Sequence, residues 1–379
     1  MDSIHTINRK EVFKDIKNIV LKIGTSSLSN ADGSFNRRFT HEIANQVARL
    51  RKYGKTVIIV SSGAIGIGCE ELKMASCPRE IPLRQAAAAL GQNILMQEWM
   101  AAFNKHDIKV AQILLTYEAF SNRMTYLNLR NSISTLMEAG VIPVINENDP
   151  ICVHEIEATF GDNDKLSAMV ASKVDAELLI MLSDIDGLCN KNPKKNEDAQ
   201  LISTIKKITP EIESYGGSPT SMKGVGGMRT KIEAAKITSI AGCHMVIANS
   251  AIDNVVIRVM EGENIGTLFL ALNGKFKNRK RWIILSKASG KLIVDKGAEE
   301  ALQKRRGLLP SGIIEVVGMF DRGDIIEIES EGKVFAKGIT DYTSRELIKI
   351  KGKRFDMIEG ILGYKNYDEV IRKTNMGLF

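Results

Sequence analysis

Six short, almost wholly apolar runs constrain this chain more than any other feature. They are Asn18–Ile23, Thr56–Val60, Val110–Leu115, Val141–Ile145, Glu177–Leu182 and His244–Ala248, and most end abruptly in small or polar residues. Continuous β-branched runs of this length are the pattern of strands buried on both faces. Helical spacing lies between them. Phe39, Ile43, Val47, Leu50 and Tyr53 recur at intervals of three and four, and Gly54 supplies a stop. Further helical patterns fall at about 85–105 and about 121–139. Alternation of this kind from residue 18 to residue 248 predicts an α/β domain with a mainly parallel open sheet sandwiched by helices. In such sheets, ligands bind beyond the carboxyl ends of the strands.

The residues just past those strand ends are therefore informative. Lys22 nearly closes the first strand, and Gly24-Thr25-Ser26-Ser27 comes next. Small residues let the backbone approach a ligand closely, and their N–H and O–H groups can face phosphate oxygens. The second strand runs into Ser61-Ser62-Gly63-Ala64-Ile65-Gly66, which is a turn opening a helix, where anions bind. The fourth runs into Asn146-Glu147-Asn148-Asp149, and Gly161-Asp162-Asn163-Asp164 then opens another helix. The fifth ends at Ser183-Asp184. Gly224-Val225-Gly226-Gly227-Met228-Arg229-Thr230-Lys231 opens a helix that stops at Gly242, with a lysine about one turn in. Neither G-x-G-x-x-G nor a Walker A loop is present. Plainer readings exist for each motif: Asx-rich turns with an N-cap, a snorkelling Lys22, and a surface Lys231 on a loop.

The five cysteines form no CxxC pair and fit no zinc spacing, and the five histidines include no HExxH. The cysteines are expected to be reduced thiols. No run of about 18 apolar residues predicts a membrane span. The first residues lack an apolar signal core, so a cytosolic location is expected. Of the formal net charge of +7, most comes from Lys275, Lys277, Arg279, Lys280 and Arg281, while acidic and basic residues balance through Gly274. One short basic segment gives little support to nucleic acid as the main partner.

Phosphoryl transfer to a carboxylate fits glycine and serine loops, two lysines and several carboxylates without histidine or cysteine. A carboxylate acceptor has a pKa near ~4 and is already ionised at neutral pH, so no general base is required. The enzyme must instead offset charge repulsion with lysines, backbone N–H groups and Mg²⁺.

Beyond residue 290 the texture changes to short strands at Lys291–Val294, Ile313–Val317, Asp324–Ile328 and Val334–Lys337, with one helix at about Ala298–Arg305. The expected division is a catalytic domain at 1–274, a basic linker at 275–289, and a small, mostly β, barrel-like domain at 290–379.

The motifs VLKIGTSSL (20–28), VIIVSSGAIGIG (57–68), VIPVINENDP (141–150), FGDNDKLSA (160–168) and GVGGMRTKIEAA (224–235) resemble the amino acid kinase family. EGENIGTLF (261–269) and NRKRWI (278–283) extend the likeness, which covers nearly the whole chain. The C-terminal part, with GKLIVDKGA, LLPSGI and ILGY, resembles a PUA domain. Within the family, the likeness is to kinases that phosphorylate the γ-carboxylate of free L-glutamate with ATP and Mg²⁺, in the first step of proline biosynthesis. The resemblance implies that Lys22 and Lys231 contact the transferring phosphoryl group and that Asp164 orients them. It assigns glutamate to Ser62, Asp149 and Asn163, with Asn146, Glu147 and Asn148 shaping the loop. It assigns ATP to Lys22, Gly24, Ser183, Asp184, Val225, Gly226, Gly227, Met228, Arg229, Thr230 and Lys231. It leaves the metal ligands unassigned. It further implies proline as a feedback inhibitor, a homo-oligomer (dimer or tetramer), and handover to a glutamyl-phosphate reductase.

The stretch from Asp149 to Gly161 runs a couple of residues longer than the family pattern, and it borders the implied inhibitor site. Rival readings are a kinase of the same fold acting on N-acetylglutamate, aspartate, carbamate or UMP, and an RNA-binding or RNA-modifying protein led by its PUA-like domain. The second lacks an interleaved strip of aromatic and basic residues.

Overall fold

The computed structural model describes residues 7–30, 32–74, 76–116, 118–121, 123–151, 163–193, 195–217, 227–272, 283–284, 286 and 288–379. The chain forms two compact units, Met1–Gly274 and Lys275–Phe379.

The first unit is built on an eight-stranded sheet. Its strands are β1 (Asn18–Ile23), β2 (Thr56–Ser61), β3 (Val110–Leu115), β4 (Ile142–Glu147), β5 (Leu178–Ser183), β6 (Thr204–Ile205), β7 (His244–Asn249) and β8 (Thr267–Phe269). Their order is β3-β4-β2-β1-β5-β7-β8-β6. All neighbours are parallel except β7 and β8. The longer helices are α1 (Arg37–Lys52), α2 (Ala64–Glu71), α3 (Ile81–Asn104), α4 (Arg123–Glu138), α5 (Asn163–Lys173) and α6 (Met228–Ala241).

Strand periodicity decides which helices cover which face. Side chains two apart share a face. Ile19, Leu21, Ile23, Val57, Ile59, Val144 and Ile180 pack in one cluster with Phe39, Ile43 and Val47 of α1 and Leu95, Trp99 and Phe103 of α3. The intervening Val20, Ile58, Val60, Ile145 and Met181 are equally buried. Their face is covered by α5, which packs on β1, β2 and β5, and by α6, which packs on α5 and β7. Burial on both faces is why β1, β2, β4, β5 and β7 read as nearly unbroken apolar runs, whereas the edge strand β3 is mostly half-buried and carries an exposed Gln112. Lys22 lies two residues after Val20 and so belongs to the α5 face.

Several sequence boundaries shift. α3 begins at Ile81, before the periodic part, with Pro82 in its first turn, where a missing N–H costs nothing. Tyr53 follows α1 as its cap and is 77% exposed, so it is not part of the apolar stripe. β6 and β8 have two and three residues, too few for a periodic signal. Where α2 and α3 meet, a Cβ on Gly68 would lie 1.8 Å from Ala87 O, and one on Gly91 would lie 1.9 Å from Ala64 O. Backbones in contact at this distance admit only glycine.

Arg9 ties the start of the described chain to the far edge of this unit. Its buried guanidinium donates to the carbonyls of Ser203, Glu263, Ile265 and Gly266. Burial without a carboxylate partner in that set lowers its pKa from the ordinary 12.5.

The second unit holds a five-stranded sheet of β9 (Gly290–Val294), β10 (Ile313–Val317), β11 (Ile325–Ser330), β12 (Lys333–Ile339) and β13 (Met376–Leu378), ordered β10-β9-β11-β12-β13. Leu292, Ile326, Ile328, Tyr342 and Leu347 form its separate core. Its helices include α7 (Lys296–Gln303), capped by Asp295, and α8 (Ser344–Ile350), which opens with a Thr343/Glu346 capping box. The basic stretch 275–281 lies outside the described residues. Among the described residues, no helix is long and apolar enough to cross a membrane.

Candidate active site

The carboxyl ends of β1, β2, β4 and β5 surround a cleft of about 580 Å³. The polar tails identified in the sequence meet there. Gly24 N–H donates to Leu182 O at 3.3 Å, and Ser62 N–H to Ile23 O at 3.1 Å, so the turns after β1 and β2 are fastened to neighbouring strand ends. Gly63 turns the chain into α2 at φ 102°, a left-handed conformation that an L side chain would strain.

At the floor, Asp164 is wholly buried between two lysines. Lys22 Nζ lies 2.5 Å from its Oδ1 and Lys231 Nζ lies 2.9 Å from its Oδ2. Lys22 is 4% exposed and Lys231 5%, so neither is a snorkelling or surface lysine. Thr230 Oγ is 2.9 Å from Asp164 Oδ2 and 2.7 Å from Gly227 O, within reach of both acceptors. The positions follow from the fold. Lys22 comes from the α5-facing side of β1, Asp164 from the first turn of α5, and Lys231 from the first turn of α6. A carboxylate in a helix's first turn is favourable and a cation there is not, because the N-terminal end of a helix carries partial positive charge. Lys231 is thus held against its own helix by Asp164. Two cations on one anion leave one positive charge beneath the cleft, which favours an anionic ligand.

A second network holds the opposite wall. Asn163 Nδ2 lies 3.0 Å from Ser61 O, 2.9 Å from Ser62 Oγ and 2.8 Å from Asn146 Oδ1. Asn146 Oδ1 also accepts from Glu147 N–H at 2.9 Å, while its Nδ2 donates to Gln92 Oε1 at 2.8 Å. Ser61 Oγ accepts from the indole of Trp99 at 3.1 Å. Gln92 and Trp99 come from α3 and had no sequence signal, because they sit among alanines on an ordinary helix face. Gln92 Nε2 is buried and has no hydrogen-bond partner among the described residues.

Of the sequence candidates, Lys22, Gly24, Ser62, Asn146, Glu147, Asp149, Asn163, Ser183, Asp184 and Lys231 line this cleft. Asp164 lies behind the lysines. Asn148 does not line the cleft; its backbone N–H donates to Leu115 O, anchoring the loop to β3. Gly227 caps α6 and Met228 is half-buried, while the exposed Arg229 reaches Glu233 at 3.3 Å. Val225 and Gly226, like Gly161 and Asp162, lie outside the described residues. Ser183 donates to Asp184 Oδ1 at 3.1 Å. Cys77, Pro78 and Arg84, not anticipated, complete the wall. A wider hollow of about 890 Å³ beside Arg37, Arg38 and Ser250 contains neither lysine of the triad and is not the site.

Among the described residues, no group of three or more His, Cys, Asp or Glu side chains could hold a metal ion. Glu147, Asp149 and Asp184 do face the cleft. One or two carboxylates with substrate phosphates are the usual setting for Mg²⁺, so this donor set fits a metal that arrives with a nucleotide.

A parallel sheet with paired lysines on a buried carboxylate and small-residue turns at its strand ends is the equipment of a phosphoryl-transfer enzyme. The chain belongs to the amino acid kinase family, whose model matches residues 17–249, and a PUA domain model matches residues 290–362. Curated relatives of this chain include glutamate 5-kinases. One from Methanococcoides burtonii is 64% identical over 98% of this chain and 99% of its own length. One from Methanosarcina barkeri is 65% identical with the same coverage, and one from Caldanaerobacter subterraneus is 45% identical over 94% of this chain and 96% of its own. Among solved structures, a carbamate kinase from Giardia lamblia bound to AMP-PNP superposes with a TM-score of 0.50 at 15% identity, over 68% of this chain and 99% of the other. That likeness is one of fold.

Proposed function

We propose that this enzyme transfers the γ-phosphoryl group of ATP to the γ-carboxylate of L-glutamate, giving ADP and L-glutamyl 5-phosphate, as the first step of proline biosynthesis. The Lys22–Asp164–Lys231 triad carries this reading. Transferring a phosphoryl group to an ionised carboxylate brings two anions together, and no proton needs to be removed. Lys22 and Lys231, aimed by Asp164, offset that repulsion and stabilise charge on the equatorial oxygens of the transferring group. Because all three side chains are already in place, little reorganisation accompanies the reaction.

ATP lies along the β5 end, near Gly24, Ser183 and Asp184 and the start of α6. Glutamate lies against Ser62, Asn163 and the loop carrying Asn146, Glu147 and Asp149. Asp149 pairs with its α-ammonium. Mg²⁺ arriving with ATP would neutralise phosphate charge, and the cleft carboxylates Glu147, Asp149 and Asp184 are the residues that would hold it. Proline, which has an ammonium and a carboxylate but no γ-carboxylate, competes at the glutamate site. The second unit modulates the kinase rather than performing chemistry. A homo-oligomer suits this reading, as does handover of the labile acyl phosphate to a glutamyl-phosphate reductase.

The test is an assay with ATP, Mg²⁺ and L-glutamate, trapping the acyl phosphate with hydroxylamine. Glutamate-dependent ADP release with hydroxamate formation is expected. Turnover of N-acetylglutamate or UMP with none of glutamate would overturn the assignment.

A further inference from the structure

Cys69 and Cys77 are eight residues apart, in the last turn of α2 and in the link leading to α3. Their sulfurs lie 2.7 Å from each other, and both thiols are free. The two differ in surroundings. Cys69 is 5% exposed, whereas Cys77 is open to solvent. A pair of core thiols packed for volume alone would bury both. Cys77 and Pro78 also form part of the wall of the 580 Å³ cleft, and the first turn of α2 contributes Gly63, Ala64, Ile65 and Gly66 to the same wall. The two sulfurs thus join two pieces of one surface.

We infer that Cys69 and Cys77 are a reversible oxidation site, closing to an intramolecular disulfide by exchange with a small-molecule disulfide and thereby bracing the wall of the cleft. The two sulfurs already lie in contact, so little movement separates them from the roughly 2.05 Å of an S–S bond. Access sets the order of events. Burial, with the neighbouring Cys77, pushes the Cys69 thiol up to about 12, so its thiolate is scarce, and Cys77 is the exposed entry point. The Cys77 thiolate attacks one sulfur of RS–SR. The S–S bond breaks, RS⁻ leaves and takes up the proton that Cys77 gave to solvent, and a Cys77–S–SR mixed disulfide remains. Cys69 then attacks the Cys77 sulfur and displaces the second RS⁻, which leaves with the Cys69 proton as RSH. Two protein thiols lose two electrons and one external disulfide becomes two thiols. The short link between the cysteines keeps the resolving sulfur beside Cys77, so that it attacks without diffusing to it even though its thiolate is scarce.

This site stands apart from the kinase reading, and its first readout does not use activity. The full chain is incubated with oxidised glutathione, quenched with an alkylating agent, digested without reduction and mapped by mass spectrometry. The expected result is a Cys69–Cys77 cross-link lacking two hydrogens, reversed by dithiothreitol, with no glutathione retained on Cys77. In Cys69→Ala, glutathione should instead accumulate on Cys77, and in Cys77→Ser neither product should form at this pair. Cys69→Ser provides a second check if the alanine variant is unstable. Stable glutathione on Cys77 of the unaltered chain, or two freely alkylated thiols after oxidant, would overturn the site. Kinetics of the cross-linked enzyme should show kcat/KM for the acceptor changed at least twofold and restored by dithiothreitol. A cross-link without that change would overturn its effect on the cleft.

Discussion

Lys22 and Lys231 are 209 residues apart in the chain, yet each holds a different oxygen of the Asp164 carboxylate, at 2.5 Å and 2.9 Å. Neither lysine duplicates the other, because each is fixed to its own element and its own oxygen. Removing one preorganised donor of this kind commonly costs about 10²–10³ in kcat. Lys22→Ala and Lys231→Ala should each show that loss in steady-state assays, with a smaller change in glutamate KM. The remaining lysine keeps Asp164 paired, so both variants should stay folded by circular dichroism.

Asp149 should behave differently. Its proposed contact with the α-ammonium of glutamate exists before and during transfer. Losing it should therefore raise the glutamate KM much more than it lowers kcat. Proline inhibition should weaken in parallel. Measuring both constants for Asp149→Ala checks this, and a normal KM with lost kcat would reverse the two assignments.

Gln92 should act through Asn146. Its carbonyl oxygen accepts from Asn146 Nδ2 at 2.8 Å, and Asn146 in turn meets Asn163 at 2.8 Å. Gln92→Leu leaves that buried donor without an acceptor, at a cost of about 1–3 kcal/mol. Glutamate KM should rise while the KM for ATP stays near its original value. Gln92→Glu, which keeps an acceptor oxygen, should recover part of the loss. Equal effects of both variants on both substrates would point to general destabilisation.

His244 gives the catalytic unit a pH dependence. Burial lowers its pKa below the ordinary 6.5, and its Nδ1 accepts from Ala271 N–H at 3.1 Å. A group with a lowered folded pKa takes up protons more readily when unfolded. Its contribution is present above pH 6.5 and lost as pH falls from there through the folded pKa. Urea midpoints between pH 7.5 and 5.5 should decline, and His244→Gln should flatten that part of the decline.

Gly91→Ala tests the crossing of α2 and α3. A Cβ 1.9 Å from Ala64 O forces the helices apart, and overpacking of this kind costs about 1–3 kcal/mol. Because Ala64 begins the cleft-lining turn of α2, thermal unfolding should come earlier and glutamate KM should rise together.

The parts legible in the sequence are those with local causes. Strands buried on both faces had to be nearly unbroken apolar runs, so β1, β2, β4, β5 and β7 were visible, as were the polar residues at their ends, and the half-buried edge strand β3 showed through its β-branched and leucine residues. Lys22, Asn163 and Lys231 stood out because a lysine or a polar pair beside such a strand or helix start is conspicuous. Gln92, Trp99 and the Cys69–Cys77 contact were not legible. Their meaning depends on what α2 and α3 are packed against, which no periodicity encodes. β6 and β8 were missed because their pairing comes from distant partners rather than from strand propensity.

The reach of Arg9 gives the catalytic unit a definite order of completion. Its carbonyl partners lie 194 to 257 residues further along the chain. During synthesis, Arg9 must wait until Gly266 has emerged before its guanidinium finds all its acceptors. Contacts of such separation form late, because most of the intervening chain must already be arranged. The segment 7–13 therefore works as a clasp on a finished sheet rather than as a seed for folding. A ribosome-stalled chain that stops before β8 should leave that segment open to protease, even with the Lys22 strand in place.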